Sequence, residues 1–474
     1  MRLAWFTPWP PQRSGIAGRS AELVPRLAAR GHGIDVYAHE ERVPVDRHAS
    51  DAPVAPGATR VLGAHDFVWR HARHSYDLTV YQVGNSALHD FIWPYLFRWP
   101  GLAILHDARL HHARGRALLA RGRFDAYRAE FAWAHPDVSP DAAELGVLGL
   151  GGTYLYTWPM TRSVLASSRL VAVHARGAID ELAAVEPHAA IEYVALGEGR
   201  AEPWTGEERR AARHALDLPA DRVVFGVFGA LTEEKRVPHI LRAFAAAHAR
   251  LPNTMLLAAG PADVSVDVPA LAAELRIADA VRLPGPLDDE AFDRAIAAVD
   301  VSLNLRWPSA LEVSGPWLRA LAAARPTVIV DLPHLGHLPT LDPRSWRLHA
   351  PAAPPHGDRD AVAVAVDILD EGHSLRLAML RLASDAALRD ALGRNGRRYW
   401  ESAHTLDHMV NDVDRALASA ASRPVPTPAL PPALTPDPLA LARRLLEPFG
   451  EGAARALADL TPAQPRAAGP EARL

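Results

Sequence analysis

Three stretches of this 474-residue chain combine residue types able to hold a charged, oxygen-rich substrate. The first, Thr7-Pro-Trp-Pro-Pro-Gln-Arg-Ser14-Gly15-Ile-Ala17, leads from a short apolar run into a helical pattern. Gly15 lets a ligand come close to the backbone, and the open N–H groups of a first helical turn favour an anionic oxygen. Phosphate is the natural guest. A Ser-Gly pair before a helix also serves plain structure, and the three spaced glycines of a dinucleotide site are missing, which counts against a nicotinamide dehydrogenase. The second stretch, Phe228-Gly-Ala-Leu-Thr-Glu-Glu-Lys235-Arg236-Val-Pro238, again leaves a strand for a helix, now with two cations in the turn. Lys235 and Arg236 at a strand's carboxyl end could grip a diphosphate leaving group and offset its growing charge, or be an ordinary surface pair. The third runs from Asn304 through Arg306, Glu312, Ser314, Gly315 and Pro316 to Arg319. Glu312 could accept from sugar hydroxyls while the Ser314 and Gly315 amides face phosphate at the positive end of a helix; capping and solvation explain the same residues more plainly.

Such loops need strands to end beneath them. Short apolar runs alternate with Ala/Leu/Arg-rich helical stretches, the signature of parallel sheets covered by helices, and the alternation occurs twice. Strands are predicted at Leu3 to Phe6, Ile34 to Tyr37, Thr79 to Gln82, Leu102 to Leu105, Leu170 to Val173 and Ile191 to Val194. A second set follows at Val223 to Phe228, Met255 to Ala259, Val281 to Leu283, Val301 to Leu305 and Thr327 to Val330. The first helix is expected from Gly15 to Arg30, stopped by Gly31-His-Gly33. Gly197 to Pro203 reads as an exposed hinge between a domain over 1–196 and another over 204–400. A polar helix is expected over 401–421, followed by a Pro/Ala-rich linker and tail over 422–474, mostly mobile apart from an amphipathic pattern around Leu439 to Leu446.

Composition bounds the class. Hydrophobic residues make up 49% and charged residues 22%, with a net charge of -4 and no cysteine. Scattered charge argues against a nucleic-acid partner, and the lack of cysteine removes disulfides, thiolate catalysis and cysteine-ligated metals. Met1 to Pro10 lacks a long apolar leader and no window approaches the roughly 20 apolar residues of a spanning helix, so a cytoplasmic protein with at most peripheral membrane contact is expected. His106, His111 and His112 lack the spacing of a zinc helix, and no metal or other cofactor is expected.

With these motifs in order, the chain resembles the large retaining glycosyltransferase family 4, whose members share the two-domain GT-B fold. The resemblance covers roughly residues 1 to 415. It rests on Pro10 to Ala17 with Ser20-Ala-Glu-Leu, on Val83-Gly-Asn85 and Leu105-His106-Asp107, and on Phe228-Gly-Ala with Lys235-Arg236. Leu283-Pro-Gly285 and the segment from Glu312 to Pro326 complete it. It implies two Rossmann-like domains facing across a cleft, with Gly15, Arg236, Ser314, Gly315 and Arg319 at the donor phosphate and sugar. Lys235 would grip the diphosphate, His106 would lie near the transferred sugar, and Glu312 matches the first glutamate of a paired-glutamate loop. Pro284 and Gly285 would lie by the nucleotide base, and Ser14, Asn85 and Asp107 on the acceptor side. Two positions depart from the family. Position 320, where a second glutamate contacts the ribose, is alanine, with Arg319 in that turn, and Ala230 stands where many members have arginine. The expected partners are a nucleoside-diphosphate sugar and a carbohydrate or glycolipid acceptor, with transfer retaining anomeric configuration in polysaccharide or glycoconjugate assembly. A catalytically silent sugar-binding or scaffolding protein on the same fold is the rival, with an epimerase or phosphorylase as further alternatives.

Overall fold

The computed structural model describes residues 1–12, 14–349, 360–434, 444–450 and 452. Met1–Pro428 form one compact unit and Ala429–Leu474 a separate one. Most of the tail expectation, including much of the Leu439 to Leu446 pattern, lies outside the described residues. No described helix is long and apolar enough to cross a membrane.

The first sheet has seven strands: β1 (Arg2–Phe6), β2 (Gly33–Ala38), β3 (Thr59–Gly63), β4 (Leu78–Val83), β5 (Leu102–Leu105), β6 (Leu170–Val173) and β7 (Ile191–Tyr193). All pair in parallel, in the order β3-β2-β1-β4-β5-β6-β7. Its central strands are buried on both faces, which is why they read as largely apolar runs, with Thr79 and Gln82 of β4 as buried polar exceptions. The second sheet comprises β8 (Val223–Phe228), β9 (Thr254–Ala259), β10 (Val281–Gly285), β11 (Val301–Asn304), β12 (Thr327–Val330), β13 (Thr340–Leu341), β14 (Leu348–His349) and β15 (Ala363–Val366). Their order is β10-β9-β8-β11-β12-β15-β13-β14, parallel except for the β13–β14 pair. β3, β13, β14 and β15 were not anticipated. β15, Ala-Val-Ala-Val, is too short for periodicity to separate a buried strand from a piece of helix.

Both sheets reverse strand order at their centre, between β1 and β4 and between β8 and β11. Crevices beyond the carboxyl ends of strands at such reversals are where α/β sheets take ligands. All three chemistry-bearing stretches leave β1, β8 or β11 at these points, so topology brings them to two facing sheet edges.

Six helices matter for the site: α1 (Gly15–Ala28), α2 (Val237–His248), α3 (Asp289–Ala298), α4 (Gly315–Ala322), α5 (Ala386–Ala403) and α6 (Leu406–Ser422). α1 ends slightly before Arg30, and Gly31 beyond it has φ +94°, the left-handed region that glycine tolerates best. α6 is half apolar rather than polar: Met409, Val410, Val413 and Leu417 pack with Leu23, Leu27, Leu78 and Leu170 of the first sheet's layer. Arg26–Asp407 and His32–Asp414 pairs flank that contact.

The connecting segment departs from the expected exposed hinge. Only Ala201 to Pro203 are exposed, whereas Gly197 and Glu198 are buried. Each glycine has a packing reason, since a Cβ at Gly197 would lie 2.7 Å from Leu406 Cα, and one at Gly199 (φ +101°) 2.6 Å from Ala322 Cβ.

Candidate active site between the two sheets

On the second-sheet side, β8 ends at Phe228 and Gly229 turns the chain with φ +85°. The loop folds back so that Lys235 Nζ donates to the Phe228 carbonyl at 2.6 Å. A Cβ at Gly229 would sit 2.3 Å from that nitrogen, so the glycine answers both a backbone and a space requirement. Burial, aided by the Arg306 guanidinium and opposed by Glu312, lowers the Lys235 ammonium to about 7.

The loop after β11 is organised around Glu312. Its Oε2 accepts from the Ala310 amide (2.8 Å) and the Ser309 hydroxyl (3.0 Å), and its Oε1 pairs with Arg306. Ser314 then caps α4 by accepting from the Trp317 amide at 3.3 Å. The Ser314 and Gly315 amides donate to no protein acceptor among the described residues, leaving the positive end of α4 open. Lys235, Arg306, Glu312, Ser314, Pro316 and His334 line one recess there.

On the first-sheet side, Asn85 organises two loops. Its amide donates to Asp107 Oδ2 and its Oδ1 accepts from the Ala113 amide, both at 2.8 Å. Burial and the Glu312 carboxylate raise Asp107 to about 6. The Ala108 and Arg109 amides both donate to the Ala310 carbonyl, at 2.8 and 3.2 Å, so the loops after β5 and β11 meet directly. Beside this junction lies a cleft of about 330 Å³, lined by Ile16, Asn85, Asp107, His112 and Tyr156 from one side and Glu234 and Arg306 from the other.

The sequence-derived residues divide between this cleft and its surroundings. Lys235, Glu312 and Ser314 line the recess, Asn85 and Asp107 line the adjoining cleft, and Ser14 and Gly15 begin α1 beside Ile16. His106 lines neither pocket: its Nε2 meets Gln82 Oε1 at 2.6 Å, its ring lies 4.9 Å from that of His174, and burial holds it well below the usual imidazole range. Pro284 and Gly285 end the edge strand β10 and line neither pocket.

Two arginines expected at the donor phosphate are engaged elsewhere. Arg236, with φ +59°, donates through Nε and Nη2 to Glu371, and its Nη2 also meets His239. Arg319 donates to Glu198 (3.0 Å), Asp293 (3.1 Å) and Asp289 (3.3 Å). The recess cation that site assignment from sequence passed over is Arg306, two residues past β11; the available signal was its place just after a strand end. Tyr156 and Glu234 were also missed. His111, one of the three histidines weighed as metal ligands, is buried between the Trp158 carbonyl (2.6 Å) and the Tyr127 hydroxyl (2.8 Å).

No protein family profile and no curated sequence matches the chain. Solved structures do resemble it over 88% of its length. Sucrose-phosphate synthase from Thermosynechococcus elongatus is 16% identical, is covered over 98% of its own chain and superposes with a TM-score of 0.60. WaaG, a glycosyltransferase involved in lipopolysaccharide biosynthesis, is 16% identical with 99% of its chain covered and a TM-score of 0.54. Anabaena HepE in complex with UDP-glucose is 13% identical, fully covered, with a TM-score of 0.56. Two sheets of mostly parallel strands whose switch-point loops face each other, matched over 88% of the chain by these structures, give the chain the two-domain GT-B fold.

Proposed function

We propose that the chain is a glycosyltransferase that moves a hexose-like unit from a nucleoside-diphosphate sugar to a hydroxyl of a carbohydrate or glycolipid acceptor. The observation that carries this reading is the convergence of Lys235, Arg306 and the open start of α4 on one recess, with Asp107 across the adjoining cleft. A diphosphate in the recess meets Lys235, Arg306 and the free Ser314 amide, all fixed before substrate arrives, with Glu312 holding Arg306 in place. Donors of this kind stabilise charge as it develops on a leaving group and so lower the barrier rather than merely tighten binding. The fold neighbours support the choice, since one is a glycosyltransferase by its own description and another holds UDP-glucose.

Retention of configuration is part of the proposal. Glu312 is bonded to Ala310, Ser309 and Arg306, which is a positioning arrangement rather than that of a covalent nucleophile. The departing phosphate, held on the acceptor's side of the sugar, then takes the acceptor proton as the new glycosidic bond forms and the old bond to phosphate breaks. Asp107 orients the acceptor hydroxyl, and closure of the cleft excludes the water that would divert the donor to hydrolysis. The work is assigned to the cytoplasm, in polysaccharide or glycoconjugate assembly, without a bound metal.

A second reading, a silent binding module on the same fold, draws on one observation: Ala320, at the family's ribose-contacting position, is fully buried among Val224, Leu257 and Ile296 and offers a ligand nothing. The test is to incubate the protein with UDP-, GDP-, ADP- and dTDP-sugars, with and without a panel of mono- and oligosaccharides, following nucleotide release and the product's anomeric proton by NMR. Acceptor-dependent release with a retained anomer is expected. Absence of any turnover, with nucleotide still bound, would favour the silent module, and an inverted anomer would make Asp107 the base of a direct displacement.

A further inference from the structure

Two helices begin at the cleft with the same pattern: Ser14-Gly15-Ile-Ala-Gly-Arg19 opens α1 in the first half and Ser314-Gly315-Pro-Trp-Leu-Arg319 opens α4 in the second. In each the serine is the N-cap, and its hydroxyl accepts from an amide of the first turn. In each the arginine stands four residues after the glycine, on the same helix face. Both arginines reach one carboxylate. Arg19 donates to Glu198 through Nε at 3.2 Å and meets it again through Nη2 at 2.5 Å, and Arg319 donates through Nε at 3.0 Å.

Glu198 is itself fixed in place. Its amide donates to the His404 carbonyl at 3.3 Å, its carbonyl accepts from Trp400 Nε1 at 2.6 Å, and the crowded Gly197 and Gly199 hold its backbone from either side. A Cβ at Gly315 would come within 3.7 Å of its carboxyl carbon, so the carboxylate lies beneath the first turn of α4. Glu198 and Arg19 are each 6% exposed. The remaining charges at the junction are Glu22 on Arg19, and Asp289 and Asp293 of α3 on Arg319. Burial would raise the Glu198 carboxyl, but the two guanidiniums outweigh it and hold the group below the ordinary carboxylate range.

We propose that Glu198 is a positioning residue, the shared anion that ties the Ser-Gly-x-x-x-Arg start of α1 to that of α4 and so fixes the spacing of the two walls of the cleft. Its consequence for transfer rests on the glycosyltransferase reading, whereas the tie itself does not. A loose tie leaves each wall intact but lets donor and acceptor drift apart, and a misplacement of about 1 Å costs on the order of 100-fold in rate.

The chain has no cysteine, so a pair introduced for spin labels is unambiguous. Val68→Cys and Ala270→Cys place one label on an exposed helical residue of each half. Glu198→Gln alone leaves the Arg19 and Arg319 guanidiniums facing each other without their shared anion, at a cost to folding; Glu198→Gln with Arg19→Met removes that repulsion as well as the tie. In this double variant, melting close to the parent is expected, with a pulsed-EPR distance distribution broadened or displaced by several Å. Nucleotide affinity should stay within about threefold, because its contacts lie on the second wall, while kcat falls about 10- to 100-fold. An unchanged distance distribution overturns the tie whatever the activity. Recovery of kcat together with stability makes Glu198 a structural ion pair and overturns its positioning role. A parent protein that turns over no sugar nucleotide sinks the transferase reading, and the distance measurement still decides the tie.

Discussion

The two walls of the cleft are built on a similar plan and carry different chemistry. Both lie beyond the carboxyl ends of a sheet's strands, yet the second-sheet wall presents Lys235 and Arg306 with Glu312, Glu234 and the open Ser314 amide, whereas the first presents Asp107, Asn85, His112 and Tyr156. Backbone amides and guanidinium suit the phosphates that every nucleotide donor shares. Side chains of varied shape suit whichever acceptor the chain has to choose. Under the proposed function, leaving-group stabilisation falls to one wall and acceptor selection to the other, and the variants below test that division.

The largest effect belongs to the cationic wall. Lys235→Ala is expected to lower turnover about 100- to 1000-fold, by analogy with loss of other preorganised charge-stabilising donors. Its melting temperature should move little, and equal loss of fold and activity in a steady-state assay paired with a thermal melt would deny the assignment. Arg306→Ala follows, at about 10- to 100-fold, because it removes the second cation and also releases Glu312.

On the acceptor wall the sharper readout is pH. Asp107, raised to about 6, accepts from a hydroxyl more strongly once ionised, so kcat/KM should climb through that value; Lys235, lowered to about 7, grips phosphate only when protonated, so it should fall above that value. Asp107→Asn should abolish the acid limb and leave the alkaline one, whereas Lys235→Arg should carry the alkaline limb upward. An acid limb that survives Asp107→Asn assigns it to another group. The smallest effect on turnover is expected from Arg236→Gln, within about threefold, because Arg236 is committed to Glu371; urea unfolding should instead show a loss of about 1–3 kcal/mol from stranding that buried carboxylate. A turnover defect as large as that of Lys235→Ala would return Arg236 to the phosphate.

Much of the fold was legible because fully covered parallel strands are mostly apolar, and residues 3–6, Leu102–Leu105, Val223–Phe228 and residues 255–259 are unbroken runs without a polar side chain. The loops of the site were legible for a related reason, since glycine, serine and charge cluster where such strands end. Which arginine stays at the recess was not legible. Arg236 is taken by Glu371, 135 positions later, and Arg319 by Glu198, 121 positions earlier; no local pattern announces pairings over such separations. The burial of Gly197 and Glu198 escaped notice for the same cause: a glycine- and charge-rich stretch reads as exposed until the partners that pack on it, Leu406, Trp400, Arg19 and Arg319, are brought to it by the fold. The Ser-Gly-x-x-x-Arg repeat stood in plain view, but its meaning depends on the single carboxylate between its two copies.

The most direct test of the central claim is a thermal-shift titration with UDP, GDP, ADP and dTDP, comparing the parent protein with Lys235→Ala. Ligand at about 100 times its dissociation constant stabilises a folded protein by about 2.7 kcal/mol, which a melt reads easily. The account predicts a clear upward shift with one nucleotide family, lost or strongly reduced in Lys235→Ala. A well-folded parent that shifts with none of the four, or a variant that shifts as much as the parent, would contradict a diphosphate site at Lys235.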